Sequence, residues 1–115
     1  FVILRHDDSR GVHFDLMLEA AEVLKTWALP QPPQWNVEMF CEALGDHRLA
    51  YLDYEGPISD NRGSVSQWDR GTYQIIEQSK SLWTIDLQGE QLAGRVTLHR
   101  EQDEQPWHFR YVGSE

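Results

Sequence analysis

The 115 residues carry 19 Asp and Glu against 10 Lys and Arg, a net charge of −9, which excludes an extended polyanion-binding face unless the few cations converge or a bound metal supplies positive charge. Five Trp, four Tyr, four Phe and 40% hydrophobic content exclude disorder and are enough for one core, so a single domain over residues 1–115 is expected. The lone Cys41 excludes an intramolecular disulfide and a Cys-based zinc site and points to a cytoplasmic protein. No run approaches the roughly 18 apolar residues of a membrane span, and no signal peptide is expected at Phe1.

Turn residues recur about every eight to twelve positions, the spacing of an antiparallel all-β fold. Strands are expected near 1–6, 12–19, 22–29, 37–44, 63–69, 72–78, 81–88, 92–100 and 106–112. The fold class is all-β with minor helix: an antiparallel β-barrel of about eight strands flanked by short helices. Asp7-Asp8-Ser9-Arg10-Gly11 reads as a hairpin turn that folds the Phe1–Leu4 run back beside the next strand. There Phe14, Leu16 and Leu18 alternate against His13, Asp15 and Met17, giving one apolar face. Glu19 to Val23 is a candidate for a few helical residues. Leu29-Pro30-Gln31-Pro32-Pro33 is a stiff connector. Trp35 beyond it is a candidate exposed aromatic on which a base can stack. Asp46 to Tyr54 reads as a short helical turn that would bring His47 and Tyr51 to one face. Asp69-Arg70-Gly71 and Gln88-Gly89-Glu90 read as turns, and 56–63 as a loop. Trp27, Trp68 and Trp83 fall in phase with the apolar positions and are assigned to the core, as is Cys41; His99 and His108 fall on the solvent phase of late strands, and Glu101 to Glu104 in a solvated turn.

The first candidate site is His6, His13 and Asp15. Side chains two apart on a strand project together, roughly 6.5–7 Å apart at the backbone. His13 and Asp15 are so placed, and the hairpin adds His6. Two imidazoles and a carboxylate suit a divalent transition metal.

Beyond these separate signals, the ordered set of motifs resembles one family. Phe1-Val2-Ile3 leads to His6-Asp7, followed by His13-Phe14-Asp15 with Leu18-Glu19, Leu24-Lys25 with Trp27-Ala28 and Pro30, Asp46-His47 with Leu49, Tyr51 and Asp53-Tyr54-Glu55-Gly56, and Trp68-Asp69-Arg70-Gly71. In that order and spacing the chain resembles the 3′-phosphoesterase domain of bacterial DNA ligase D and its stand-alone archaeal relatives. The resemblance implies a compact β-barrel and a manganese-dependent enzyme that trims ribonucleotides and removes phosphate from nucleic-acid 3′ ends in DNA repair. It assigns His6, His13 and Asp15 to the Mn²⁺ ion or another divalent transition metal, and His47 and Tyr51 to the phosphate. The partners it implies are a nucleic-acid 3′ end, held by a short contact only, and a DNA ligase or polymerase; no membrane is implied.

Some positions depart from the family pattern. Met17 stands where the family has an Arg that grips the phosphate, Gln31 where it has a Lys, Gly11 lengthens the His6 to His13 interval, and the Gly-rich stretch before Trp68 is shortened to Ser59-Asp60-Asn61-Arg62-Gly63. Arg10 and Arg62 are the candidate substitutes for the lost cations, and Met17→Arg is expected to raise phosphate hydrolysis at least about tenfold. The alternative is a non-catalytic descendant that binds a metal, a DNA end or a repair partner. A non-haem iron oxygenase shares the ligand types, but its usual order places the carboxylate between the two His, whereas here both precede Asp15.

Overall fold

The computed structural model describes residues 1–113, and these form nine strands: β1 Val2–Asp8, β2 Gly11–Ala20, β3 Val23–Leu29, β4 Met39–Arg48, β5 Gly56–Pro57, β6 Ser64–Gln78, β7 Leu82–Gly89, β8 Ala93–His99 and β9 Trp107–Gly113. All pairings between them are antiparallel, in the order β1-β2-β3-β4-β9-β8-β7-β6-β5, and β1 also pairs with β6. Eight strands therefore close into a barrel-like ring. The two-residue β5 lies outside, paired with β6.

Two long strands make the closure possible. The first part of β4, Met39 to Cys41, pairs with β9, while Glu42 to Arg48 pairs with β3. Likewise β6 pairs with β1 up to Arg70 and with β7 from Gly71 onward. Each strand thus turns a corner within itself. This corrects the reading of Asp69-Arg70-Gly71 as a turn between two strands. The Asp69 side chain is 2% exposed and points inward, where its carboxylate accepts from the backbone amides of Arg70, Glu90, Gln91 and Leu92 at 2.7–3.0 Å. It pins the β7–β8 turn from across the sheet instead of closing a turn of its own. A Cβ on Gly71 would lie 1.9 Å from the Gln88 carbonyl oxygen, so only glycine lets the strands approach here.

Helix is scarcer than expected: among the described residues the one helical element is a 3₁₀ turn, Leu49–Leu52. Asp46, His47 and Arg48, assigned to a helical turn from sequence, complete β4. Glu19 to Val23 is not helical either. Ala20 and Val23 are strand partners across a tight turn at Ala21 and Glu22, and Ala21 takes φ +58°. Pairing along the whole β2–β3 hairpin outweighs the helical preference of two alanines.

The ring buries one large core, including Phe1, Ile3, Phe14, Leu16, Leu18, Trp27, Trp83, Ile85, Leu98 and Phe109. Trp27 stands edge-on to Trp83 and Trp107 at 5.4 and 5.7 Å. Trp68, expected in the core, is half-buried and packs against it, edge-on to Phe14 at 6.1 Å. A second apolar cluster lies on the outer face of β1 and β2. Val2, Leu4, Met17, Leu24 and Val65 form it, covered by Leu49, Tyr51, Leu52, Tyr54 and Ile58. Residues 14 to 18 are consequently all buried, although Asp15 and Met17 point away from the main core.

Candidate metal centre and substrate cleft

The β1–β2 register sets out three cross-strand pairs on that outer face: Val2 opposite Met17, Leu4 opposite Asp15, and His6 opposite His13. The face grades from apolar to polar along the strands. The 49–58 segment covers the apolar end, and the polar end opens into a cleft of about 520 Å³. His6, His13, Asp15, Arg10 and His47 line it, with Phe40 and Glu42 from β4. The hairpin turn expected at Asp7 to Gly11 is present: Asp8 pairs with Gly11, and the Asp8 carboxylate accepts from the Arg10 amide at 2.8 Å.

Ligand-capable atoms of His6, His13 and Asp15 all lie within 4.8 Å of one another, forming a potential metal-binding triad. His13 Nε2 is 3.1 Å from Asp15 Oδ1, and His6 Nδ1 is 3.5 Å from Oδ2. Two donors at right angles on one ion, each at about 2.1 Å, are about 3 Å apart, so these spacings suit a shared cation. Asp15 is 3% exposed, and its Oδ1 is buried with no hydrogen-bond donor. Burial is the largest influence on this carboxyl and raises its pKa above the ordinary 3.8, while the imidazoles of His13, His6 and His47 pull it back down. A cation beside Oδ1 would satisfy the orphaned oxygen and hold Asp15 ionised.

The tautomer of His6 is set from outside the triad. Its Nε2 lies 2.7 Å from the backbone oxygen of Arg62. A carbonyl only accepts, so Nε2 donates, and in the neutral ring Nδ1 keeps its lone pair toward Asp15. Acceptor then faces acceptor, an arrangement that a cation between them relieves. This use of Arg62 leaves no trace in the sequence, because any residue has a carbonyl. Its guanidinium, the part expected to replace a phosphate-binding cation, is bonded to Ser59 O at 2.9 Å and Ser59 Oγ at 3.0 Å and does not line the cleft.

His47 reaches the cleft from β4, where it sits opposite Leu24. Its Nδ1 donates to the Gly45 oxygen at 2.9 Å, which leaves Nε2 for a ligand. Tyr51, from the 3₁₀ turn, stands edge-on to the His47 ring at 5.9 Å, but it does not line the cleft and borders a neighbouring depression with Arg48 and Tyr54. Arg10 is the one Lys or Arg lining the cleft among the described residues, and its side chain is 89% exposed. Met17, 2% exposed, lies beneath the covering segment and is no part of the cleft.

A family model described as the DNA ligase D 3′-phosphoesterase domain matches residues 4–100 of the chain. The chain belongs to this family. It is 34% identical over 110 residues to the multifunctional non-homologous end joining protein LigD of Pseudomonas aeruginosa, covering 87% of this chain and 13% of that protein. It is also 34% identical over 109 residues to the multifunctional non-homologous end joining DNA repair protein LigD of Mycobacterium tuberculosis, covering 87% and 14%. Against the LigD of Mycolicibacterium smegmatis the identity is 30% over 114 residues, covering 85% and 15%. The chain thus spans about a seventh of the length of these relatives.

The remaining sequence candidates lie elsewhere. Trp35 is 63% exposed, as expected, but it packs beside Gly113 and Tyr111 and does not line the cleft. His99 and His108 are not simply solvated: their rings stack at 4.7 Å and 10°, and His108 Nδ1 pairs with Glu38 Oε1 at 2.8 Å. Gln31 is exposed.

Proposed function

We propose that this protein is a manganese-dependent phosphoesterase that heals nucleic-acid 3′ ends in DNA repair, removing a 3′-phosphate or a 3′-terminal ribonucleoside. The observation that carries the proposal is the buried Asp15 carboxylate at the end of an open cleft, with His13 Nε2 beside Oδ1, His6 Nδ1 beside Oδ2, and no hydrogen bond made to Oδ1. His6 through Nδ1, His13 through Nε2 and Asp15 through its carboxylate would hold the ion. When bound, it supplies a Lewis acid for a phosphoryl oxygen and lowers the pKa of a water. His47 would meet the phosphate through Nε2, steadying its charge or giving a proton to the leaving oxygen. Tyr51 acts through His47 as a positioning residue, and Arg10 at the rim meets the outer phosphate charge. A DNA end-joining ligase or polymerase acting on the healed end in the cytoplasm belongs to the same reading.

The burial of Met17 favours a second reading, a non-catalytic descendant that holds a metal and a DNA end, because an Arg is missing and its place is closed over. One experiment separates the two. With Mn²⁺, the protein should release inorganic phosphate from a 3′-phosphorylated primer on a template, and His47→Ala and chelation should each abolish release. No release from a protein shown by titration calorimetry to bind Mn²⁺ would overturn the catalytic reading in favour of the binding one.

A further inference from the structure

Phe40 occupies the outward phase of β4, between Met39 and Cys41, which turn toward the core. It is 62% exposed and lines the cleft that holds His6, His13 and Asp15. An aromatic ring left in water is ordinary by itself. This one is braced. Phe40, His108 and His99 are strand partners in sequence across β4, β9 and β8, and their side chains form a row on the outer surface. The Phe40 ring lies 4.8 Å from His108 at 52°, and His108 stacks on His99. His108 is fixed in turn by Glu38, whose other carboxylate oxygen accepts from Arg110 Nη2 at 2.9 Å. One side of Phe40 is therefore held by an ordered row, and the rest of it is open.

Charge decides what this ring can meet. Among the described residues, Arg10 is the one Lys or Arg in the cleft, and Glu42 stands two residues from Phe40 on the same phase of β4. A phosphate backbone is repelled along this strand, whereas a nucleobase is neutral and has a face to stack. In a protein of net charge −9, an uncharged contact adds affinity beyond the terminal phosphate without electrostatic cost. Base-on-aromatic stacking supplies it and works with every base.

We propose that Phe40 is the stacking platform for the nucleobase of the 3′-terminal nucleotide, holding the strand end while the triad and His47 face its phosphate. The inference rests on reading the cleft as a 3′-end site. It makes Phe40 a determinant of substrate affinity that is indifferent to base identity.

The test compares two 3′-phosphorylated oligonucleotides, one with an ordinary terminal nucleoside and one with an abasic terminal residue, by steady-state phosphate release with Mn²⁺. Phe40→Ala should raise KM about tenfold on the ordinary substrate, within the range for one lost stack, and leave kcat within about twofold. On the abasic substrate, where wild type already shows the raised KM, the same substitution should change nothing further. Phe40→Trp should restore the ordinary KM. Equal effects of Phe40→Ala on both substrates, or none on either, would overturn the proposal. If no phosphate is released at all, the catalytic reading fails separately, and the same comparison is made by anisotropy of the two oligonucleotides labelled at the 5′ end. A base-dependent affinity that disappears in Phe40→Ala supports the platform; an affinity indifferent to the base refutes it.

Discussion

Replacing Met17 by Arg tests whether position 17 belongs to the phosphate site or to the core of the outer cluster. From sequence alone the substitution restores a family cation and is expected to speed hydrolysis. The structure reverses that expectation, because Met17 is 2% exposed among Val2, Leu4, Leu24 and Val65, under Leu49, Tyr51 and Leu52. Losing the buried thioether costs about 1.5–3 kcal/mol, and a guanidinium forced into that space adds a desolvation penalty of several kcal/mol. Displacing the covering 3₁₀ turn relieves part of the second cost, for a net loss of about 3 kcal/mol or more. At about 4 °C per kcal/mol for a domain of this size, the thermal midpoint should fall by about 12 °C. The same guanidinium lies about 7 Å along the strand from Asp15 and can pair with its carboxylate, so Mn²⁺ should bind more weakly too. Met17→Leu, similar in volume, should cost under about 1.5 kcal/mol. The assay is thermal unfolding of the three proteins with and without Mn²⁺, together with phosphate release. A Met17→Arg protein with an unchanged midpoint and faster release would refute the reasoning and show that the cover opens readily over the site.

Asp15→Asn should make the metal-free protein more stable at neutral pH and abolish its stabilisation by Mn²⁺. Because burial raises the Asp15 pKa, the protonated form favours folding, and that contribution is lost as pH rises through the folded value; the gap between variant and wild type should close as pH falls toward 3.8, and a gap that widens instead would contradict the sign. Arg62→Ala keeps the carbonyl that orients His6 and should leave Mn²⁺ affinity within about twofold, whereas Gly63→Ala, whose Cβ would sit 1.9 Å from the Asp7 oxygen at φ +87°, should shift that carbonyl and cost about 10–100-fold. The reverse ranking in a metal titration would rule out the carbonyl's role. Asp69→Ala strips the long-range acceptor from three amides of the β7–β8 turn and should destabilise by about 4 kcal/mol in urea unfolding, and a loss below about 1 kcal/mol would mean that water replaces the carboxylate.

The parts of the structure that sequence predicted are those governed by short-range periodicity. Alternation in Phe14 to Leu18 and in Trp83 to Leu87 placed strands and their inner faces, and Asp7 to Gly11 placed the turn that sets His6 opposite His13. What it missed depends on partners distant in the chain. Asp69 looked like a turn residue because Asp and Gly are both turn formers and Gly71 lies two positions on, yet its acceptors serve amides more than twenty residues away. Met17 shares a strand face with His13 and Asp15, and strand alternation cannot show that residues 49–58 return to cover it. Phe40 did leave a signal. Glu38, Phe40 and Glu42 alternate with Met39, Cys41 and Ala43, so an aromatic residue stands on a polar phase.

On the proposed reading, closure of the ring and completion of the metal site are the same event. The β1–β2 hairpin alone brings His6, His13 and Asp15 together, and it is local enough to form early. It does not fix the His6 tautomer. That requires the Arg62 carbonyl, 56 residues on, which arrives with the strand that pairs with β1 and shuts the ring. A chain open along the β1–β6 seam therefore has the three ligands near one another with His6 free to present either nitrogen. Only the closed chain holds Nδ1 toward Asp15. Binding energy drawn from that preference stabilises the seam by linkage, so a metal ion should protect the amides of β1 and β6 from exchange more than those of β7 and β8. The burial of Asp15 acts in the opposite sense without an ion, since the closed ring confines an ionised carboxylate that lacks a donor. On the proposed reading, the seam is the place where this fold gives up stability for a site, and a bound ion would restore it.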